Sequence, residues 1–285
     1  MKLNSLAKKL FDFFVFSSLF IALCAVLMVY QTCILFSLPF SFSLAGFVFS
    51  GSVCSYNFHW YLTPPNVKQQ SEKEAWNVSN KKIHFVLFIT GLIGSAVFSF
   101  LLIDHWFWLG ITGFVTFLYS APKISHPIFY FLRRIAIGKT IFLAFAWMHV
   151  TTLLPIVMTV KSLSSEHIWF VVNRFFYIYA ICILFDFRDV EEDRRMGVKS
   201  LITYFNEKGI DNLFWGSVII VIITLGLLLN YFLLGEIVAL LIPVIVLSLL
   251  YHPSKKNTSD YMYYFVLDGL MMLSAPLLLL IKFAR

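Results

Sequence analysis

The chain has 285 residues and a mass of 32.9 kDa, of which 60% is hydrophobic, 18% aromatic and only 13% charged, with a mean hydropathy of +0.83. That much apolar surface cannot be hidden inside a soluble globule of this size, so a soluble enzyme is excluded and an integral membrane protein is expected. The net charge of +7 is spread over several short segments and not gathered on one soluble face, which excludes a nucleic-acid-binding surface and points to anionic lipid and membrane topology.

Nine apolar segments follow in chain order, near residues 13 to 38, 42 to 62, 83 to 103, 106 to 121, 140 to 160, 167 to 185, 212 to 231, 235 to 251 and 261 to 281. No Asp, Glu, Lys or Arg lies between Asp12 and Lys68, room for two spans of about 20 residues each. Runs of this length are helices, because only a helix satisfies its own backbone in lipid. The basic start "MKLNSLAKKLFDFF" resembles a secretory signal, yet the apolar run behind it is too long for a cleavable segment and reads as an uncleaved first helix. Cys24, Cys33, Cys54 and Cys182 lie in apolar runs without CxxC spacing and read as packing residues.

With the N-terminus in the cytoplasm, 18 of the 22 Lys and Arg residues fall on the cytoplasmic side, which predicts nine spans, N-in and C-out. The longer loops lie on that side too, so function is expected there. No repeat or linker divides the chain, and residues 1–285 read as one membrane-embedded domain.

The stretch "FDFRDVEEDRRMG" at 185 to 197 places five carboxylates within eight positions of a chain with 15 acidic residues. Asp186, Asp189 and Asp193 fall at i, i+3 and i+7, on one face of a helix. Like charges so arranged repel unless a cation compensates them, and short carboxylates suit Mg²⁺ sharing its shell with substrate phosphates. The plainer alternative is a solvated helix end balanced by Arg188, Arg194, Arg195 and Lys199. Position at the mouth of the sixth apolar segment favours a functional role. Two further charges lie inside spans, Arg174 and Asp268, as a structural ion pair or as part of an acceptor site.

The segment "DFRDVEEDRRMGVKSL" resembles the second aspartate motif of the UbiA-type membrane prenyltransferases, with Asp186, Asp189, Asp193, Gly197, Lys199, Ser200 and Leu201 at the matching positions. "LYSAPKI" at 118 to 124 resembles that family's tyrosine and lysine signature, and "GKTIFLAFAWMHVTTLLP" and "FVLDGLMML" resemble its fifth and ninth helices. The resemblance covers nearly the whole chain. It implies an all-α, nine-helix bundle with a central cavity open to the cytoplasm, in a membrane such as the bacterial inner (plasma) membrane. It also implies a Mg²⁺-dependent transferase that moves an isoprenyl group from a prenyl diphosphate to an aromatic, quinone-like or other lipophilic acceptor. Asp186, Asp189 and Asp193 would be the catalytic metal ligands, with Lys123, Tyr119, Lys139 and Arg188 on the diphosphate.

The family's first aspartate motif, near the end of the second helix, is replaced here. "SVCSYNFHWYLTPPN" keeps Asn57 but carries Phe58, Tyr61 and Pro65 where three aspartates belong. Asn57 and His59 could each supply a neutral ligand and Tyr61 could orient a phosphate; a helix cap and interface packing are the alternatives. The rewritten motif leaves a second function open, a UbiA-like protein that binds a prenyl lipid or partner enzyme without transfer. A transporter is a weaker third, since no inverted repeat is evident.

Overall fold

A computed structural model describes residues 2–63, 71–120, 137–196, 205–257 and 259–283, excluding the side chains of 2–5, 119, 120, 137–139 and 191–196. Every regular element among the described residues is helical. In chain order they are α1 (Lys2–Phe16), α2 (Leu19–Leu35), α3 (Phe42–Leu62), α4 (Glu72–Ser79), α5 (Lys81–Leu101), α6 (Trp106–Ser120), α7 (Ile137–Met148), α8 (Leu154–Val157), α9 (Ser165–Met196), α10 (Glu207–Leu228), α11 (Leu234–Lys256), α12 (Asp268–Met272) and α13 (Ser274–Phe283). A π-helical turn, His149–Leu153, joins α7 to α8, and another, Met262–Leu267, leads into α12.

Among the described residues six stretches are long and apolar enough to cross a bilayer: α5, Thr140–Val157, the Ser165–Val190 part of α9, α10, α11 and Met262–Phe283. The bent pair α1 and α2 makes a seventh. Along α5 the apolar side chains Phe85, Val86, Leu92, Ile93, Val97 and Phe100 are exposed, a face that lipid accepts and water does not. The protein is therefore a multi-pass integral membrane protein. The 21-residue α3 and the described 15 residues of α6 occupy the other two apolar segments.

Hydropathy alone predicts an unbroken first helix from 13 to 38. The structure breaks it at Ser17 and Ser18, where the axis turns by 58°. Ser18 has φ 68° and ψ 14°, a left-handed conformation that costs a residue with a Cβ about 1–2 kcal/mol. The break ends α1 and releases its last carbonyls from helical bonding. Two receive donors from elsewhere: Lys73 Nζ donates to Phe16 O (2.7 Å) and Asn57 Nδ2 to Ser17 O (3.0 Å).

Around this kink the bundle closes. α2 packs on α3, on the first π turn and α8, and on α12 and α13. α3 and α5 approach unusually closely, because a Cβ on Gly91 would lie 2.6 Å from Cys54 N and 2.8 Å from Ser50 O. The short α4 carries a full capping box, with Glu74 N donating to Ser71 Oγ and Ser71 N donating to Glu74 Oε2, both at 3.2 Å. Lys73 N donates to Asp260 Oδ2 (2.7 Å), which ties α4 to the C-terminal helices. The 32 residues of α9 are about 48 Å long at 1.5 Å per residue, well beyond a hydrocarbon core of about 30 Å, so its charged end can stand clear of the apolar layer. The cysteines are free, as their spacing suggests.

Candidate active site

The charged end of α9 faces a polar cavity of about 120 Å³ enclosed by α1 to α4, α7, α9 and the Met262–Leu267 turn with α12. From α9 it receives Asp186, Arg188 and Asp189. Thr140 of α7 donates its hydroxyl to Asp186 Oδ2 at 2.7 Å. Arg188 meets Asp189 Oδ1 with Nε at 2.9 Å and Nη2 at 2.8 Å, while its buried Nη1 has no hydrogen-bond partner among the described residues. The Arg188 guanidinium also lies over the rings of Tyr264 (4.5 Å), Tyr263 (5.2 Å) and Phe185 (5.3 Å).

Across the cavity stands Lys73, 2% exposed. Its Nζ lies over Trp60 (4.6 Å), Tyr264 (4.8 Å) and Phe16 (5.6 Å), and its hydrogen bond goes to the Phe16 carbonyl freed by the kink. Burial lowers its ammonium to about 7; Asp260 offsets part of that, Arg188 adds to it and Asp268 opposes it. Asp268 lines the same cavity and does not meet Arg174. Arg174 instead donates to Ser274 Oγ (3.1 Å) and lies over Phe170 and Tyr177. The two charges sit at different depths, since the partner of Arg174, Ser274, lies six positions beyond Asp268 along the C-terminal helices.

The rewritten first motif sorts into three environments. Asn57 is wholly buried and structural: its amide donates to Ser17 O and to Val53 O (2.8 Å), and its Oδ1 accepts from His84 Nδ1 (2.7 Å). His59 lines the cavity beside Trp60. Tyr61 is absent from the cavity wall and packs instead on Phe85, with Lys81 Nζ 5.3 Å from its ring. Of the other expected residues, Lys123 lies outside the described residues, as do the side chains of Tyr119, Lys139 and Asp193, whose backbones belong to α6, α7 and α9.

The two sides differ as sites for a divalent cation. On α9, Asp186 and Asp189 offer hard carboxylate oxygens about one turn apart on the cavity wall, a donor type that suits Mg²⁺. On α3 the fit fails. Asn57 has spent its amide, α3 contributes no carboxylate, and the buried Lys73 ammonium would repel a second metal. Among the described residues no three His, Cys, Asp or Glu side chains converge as a metal site.

A second cavity of about 410 Å³ adjoins the first, lined by apolar residues such as Phe47, Phe58, Phe88, Leu92, Phe117 and Val150. The two share a wall of Tyr56, Leu143 and Trp147, in which Trp147 Nε1 donates to Tyr56 Oη at 3.1 Å. A charged chamber thus opens beside a greasy one.

No protein-family model matches the sequence, and no curated protein matches it. Solved structures do. A UbiA homologue from Aeropyrum pernix K1, solved without ligand, superposes with a TM-score of 0.65 over 92% of this chain and 98% of its own, at 13% identity. The chain has the UbiA fold. A digeranylgeranylglyceryl phosphate synthase also matches this UbiA-fold protein, with a TM-score of 0.57 over 94% and 97% of the two chains at 14% identity.

Sequence reasoning missed Lys73, Trp60, Thr140 and Tyr264. A signal for Lys73 was present in "SEKEAWN": the Ser71 and Glu74 capping box marks a helix start, where a lysine works against the helix dipole and so needs another reason. The other three lie in apolar context and carry no distinguishing pattern.

Proposed function

We propose that this UbiA-fold protein is a prenyltransferase, moving an isoprenyl group from a prenyl diphosphate to an aromatic, quinone-like or other lipophilic acceptor. The observation that carries the reading is the pairing of a carboxylate-bearing polar cavity with an apolar chamber across the Tyr56 and Trp147 wall. The diphosphate belongs in the first and the isoprenyl chain in the second, which brings the allylic carbon to the wall between them. There the C1–O bond breaks with its electron pair leaving on the diphosphate, the acceptor's nucleophilic atom bonds to C1, and the acceptor gives up a proton. Asp186 and Asp189, with Asp193 beyond the described side chains, would hold Mg²⁺, which when bound neutralises charge on the leaving diphosphate. Arg188, together with Lys123, Lys139 and Tyr119, would bind its oxygens. The faces of Trp147 and Tyr56 stabilise positive charge at C1, and the enclosing helices keep water from it. The protein would act as one domain over residues 1–285, with nine spans, N-in and C-out, and its polar cavity facing the cytoplasm of a bacterial inner (plasma) membrane.

The test is consumption of farnesyl diphosphate by membranes containing the protein, with Mg²⁺ and a mixture of lipophilic phenols and quinols. Asp189→Asn is expected to lower turnover at least a hundredfold, and EDTA to abolish it. Turnover that survives both sinks the reading.

The second reading, a UbiA-fold protein that binds a prenyl lipid or partner without transfer, is favoured by the locked Asn57 and the cation on the α3 side. It predicts binding of prenyl diphosphate with no consumption under any metal condition.

A further inference from the structure

We propose that Lys73, across the cavity from Asp186 and Asp189, and Arg188, beside Asp189, form a metal-independent anion site that grips the diphosphate and replaces a second metal with fixed cations. The proposal rests on the prenyl diphosphate reading of the cavity.

Lys73 is a cation that the fold has gone to some length to bury. An eight-residue helix with a complete capping box presents it, Asp260 anchors the backbone of that helix, and a strained kink at Ser18 supplies the one carbonyl its Nζ bonds. Burying an ammonium costs several kcal/mol unless it is compensated. Here no carboxylate within salt-bridge distance of Nζ compensates it among the described residues, and aromatic faces do only part of that work. Nζ carries three N–H groups and donates one to Phe16 O, which leaves two for another partner. Arg188 repeats the pattern: Asp189 engages Nε and Nη2, whereas the buried Nη1 has no partner among the described residues. Both cations lie against the same ring, that of Tyr264, so one diphosphate can reach both.

The chemistry of the missing partner follows. It must carry several acceptor oxygens, because unspent donors remain on two groups, and it must be anionic, because Arg188 is a cation and the Lys73 ammonium, weakened by burial in the empty cavity, is held charged by an anion beside it. A phosphoanhydride fits, and the adjoining apolar chamber selects one bearing a hydrocarbon tail. A lysine here also explains how the chain can lack every first-motif carboxylate and still face a triply charged head group: the positive charge is supplied by the polypeptide.

The probe is inorganic pyrophosphate with the purified full-length protein, in EDTA. Wild type is expected to bind it and to be thermally stabilised by it. Lys73→Met should weaken that binding at least tenfold, Lys73→Arg should restore part of it, and the exposed Lys208→Met should leave it unchanged. In Mg²⁺, Lys73→Met should raise KM for farnesyl diphosphate at least tenfold. Absence of pyrophosphate binding by wild type in EDTA overturns the proposal without any variant having to fold, and so does Lys73→Met binding equal to wild type. The two failures separate. Pyrophosphate binding that depends on Lys73 without any consumption of prenyl diphosphate keeps the anion site and removes the transferase. Turnover that is indifferent to Lys73→Met keeps the transferase and removes the anion site.

Discussion

Lys73 sits at the second position of α4 between two glutamates, yet its side chain turns away from both into a cavity, where solvation is poor. Burial draws its ammonium from the ordinary 10.5 down to about 7, the carboxylates of Asp260 and Asp268 pull the other way, and the Arg188 guanidinium reinforces the fall; the Tyr264 hydroxyl-bearing ring completes its surroundings. The unfolded chain keeps this proton up to about pH 10.5 and the folded one releases it near 7, so between those values the unfolded state binds more protons and stability rises with pH. Below pH 7 the full cost of burying the charge is present. The melting temperature of the empty wild-type protein, relative to Lys73→Met, is therefore expected to climb between pH 6.5 and pH 9. A pH-independent difference in a detergent thermal melt would contradict this placement of the lysine. The same residue marks the limit of what the sequence discloses. Counted among the basic residues of a loop, Lys73 is a topology signal; its burial depends on a kink at Ser17 and Ser18 and on Asp260, 187 positions away, and neither carries a local pattern.

At the scale of elements, hydropathy was a good guide because lipid imposes it: among the described residues the body of each apolar segment is helical, since a backbone in hydrocarbon has no other partner than itself. Breaks within those helices were not legible. The kink after α1 and the π turns at His149–Leu153 and Met262–Leu267 all lie within segments that hydropathy reads as single spans, with only the small polar residues Ser17, Ser18, Thr151 and Thr152 and His149 to mark two of them, and a stabilising bond comes from a distant residue where Thr32 Oγ1 donates to Thr151 O at 2.9 Å. Close helix approach is a related case. Gly91 of α5 meets the α3 backbone, whereas Gly110 of α6 has open space where a Cβ would stand. Gly91→Ala should force the two helices apart at a cost of about 1–3 kcal/mol, the range for overpacking. Gly110→Ala should be neutral or slightly stabilising, as expected for glycine replacement within a helix. Equal melting temperatures for the two variants would argue against the tight α3 and α5 contact.

For the whole molecule, the acidic stretch on α9 gains meaning from its relation to two chambers, and only tertiary structure supplies that relation. Asp186 and Asp189 are visible as a motif; the Tyr56 and Trp147 wall that separates a charged chamber from an apolar one joins residues 91 positions apart. If the larger chamber holds the isoprenyl chain, its volume of about 410 Å³ sets which donors fit, independently of how the diphosphate is held. Ala146 lines that chamber and is absent from the polar cavity wall, so Ala146→Phe adds bulk where a tail would lie and leaves the charged groups in place. Turnover with geranylgeranyl diphosphate is expected to fall at least tenfold relative to geranyl diphosphate, because overpacking penalises the longer chain, while pyrophosphate affinity in EDTA stays at the wild-type value. Parallel kinetics with the two donors and a pyrophosphate titration read both quantities. An equal loss with both donors would mean that the tail does not occupy this chamber, and a loss of pyrophosphate affinity would mean that the two chambers do not act independently.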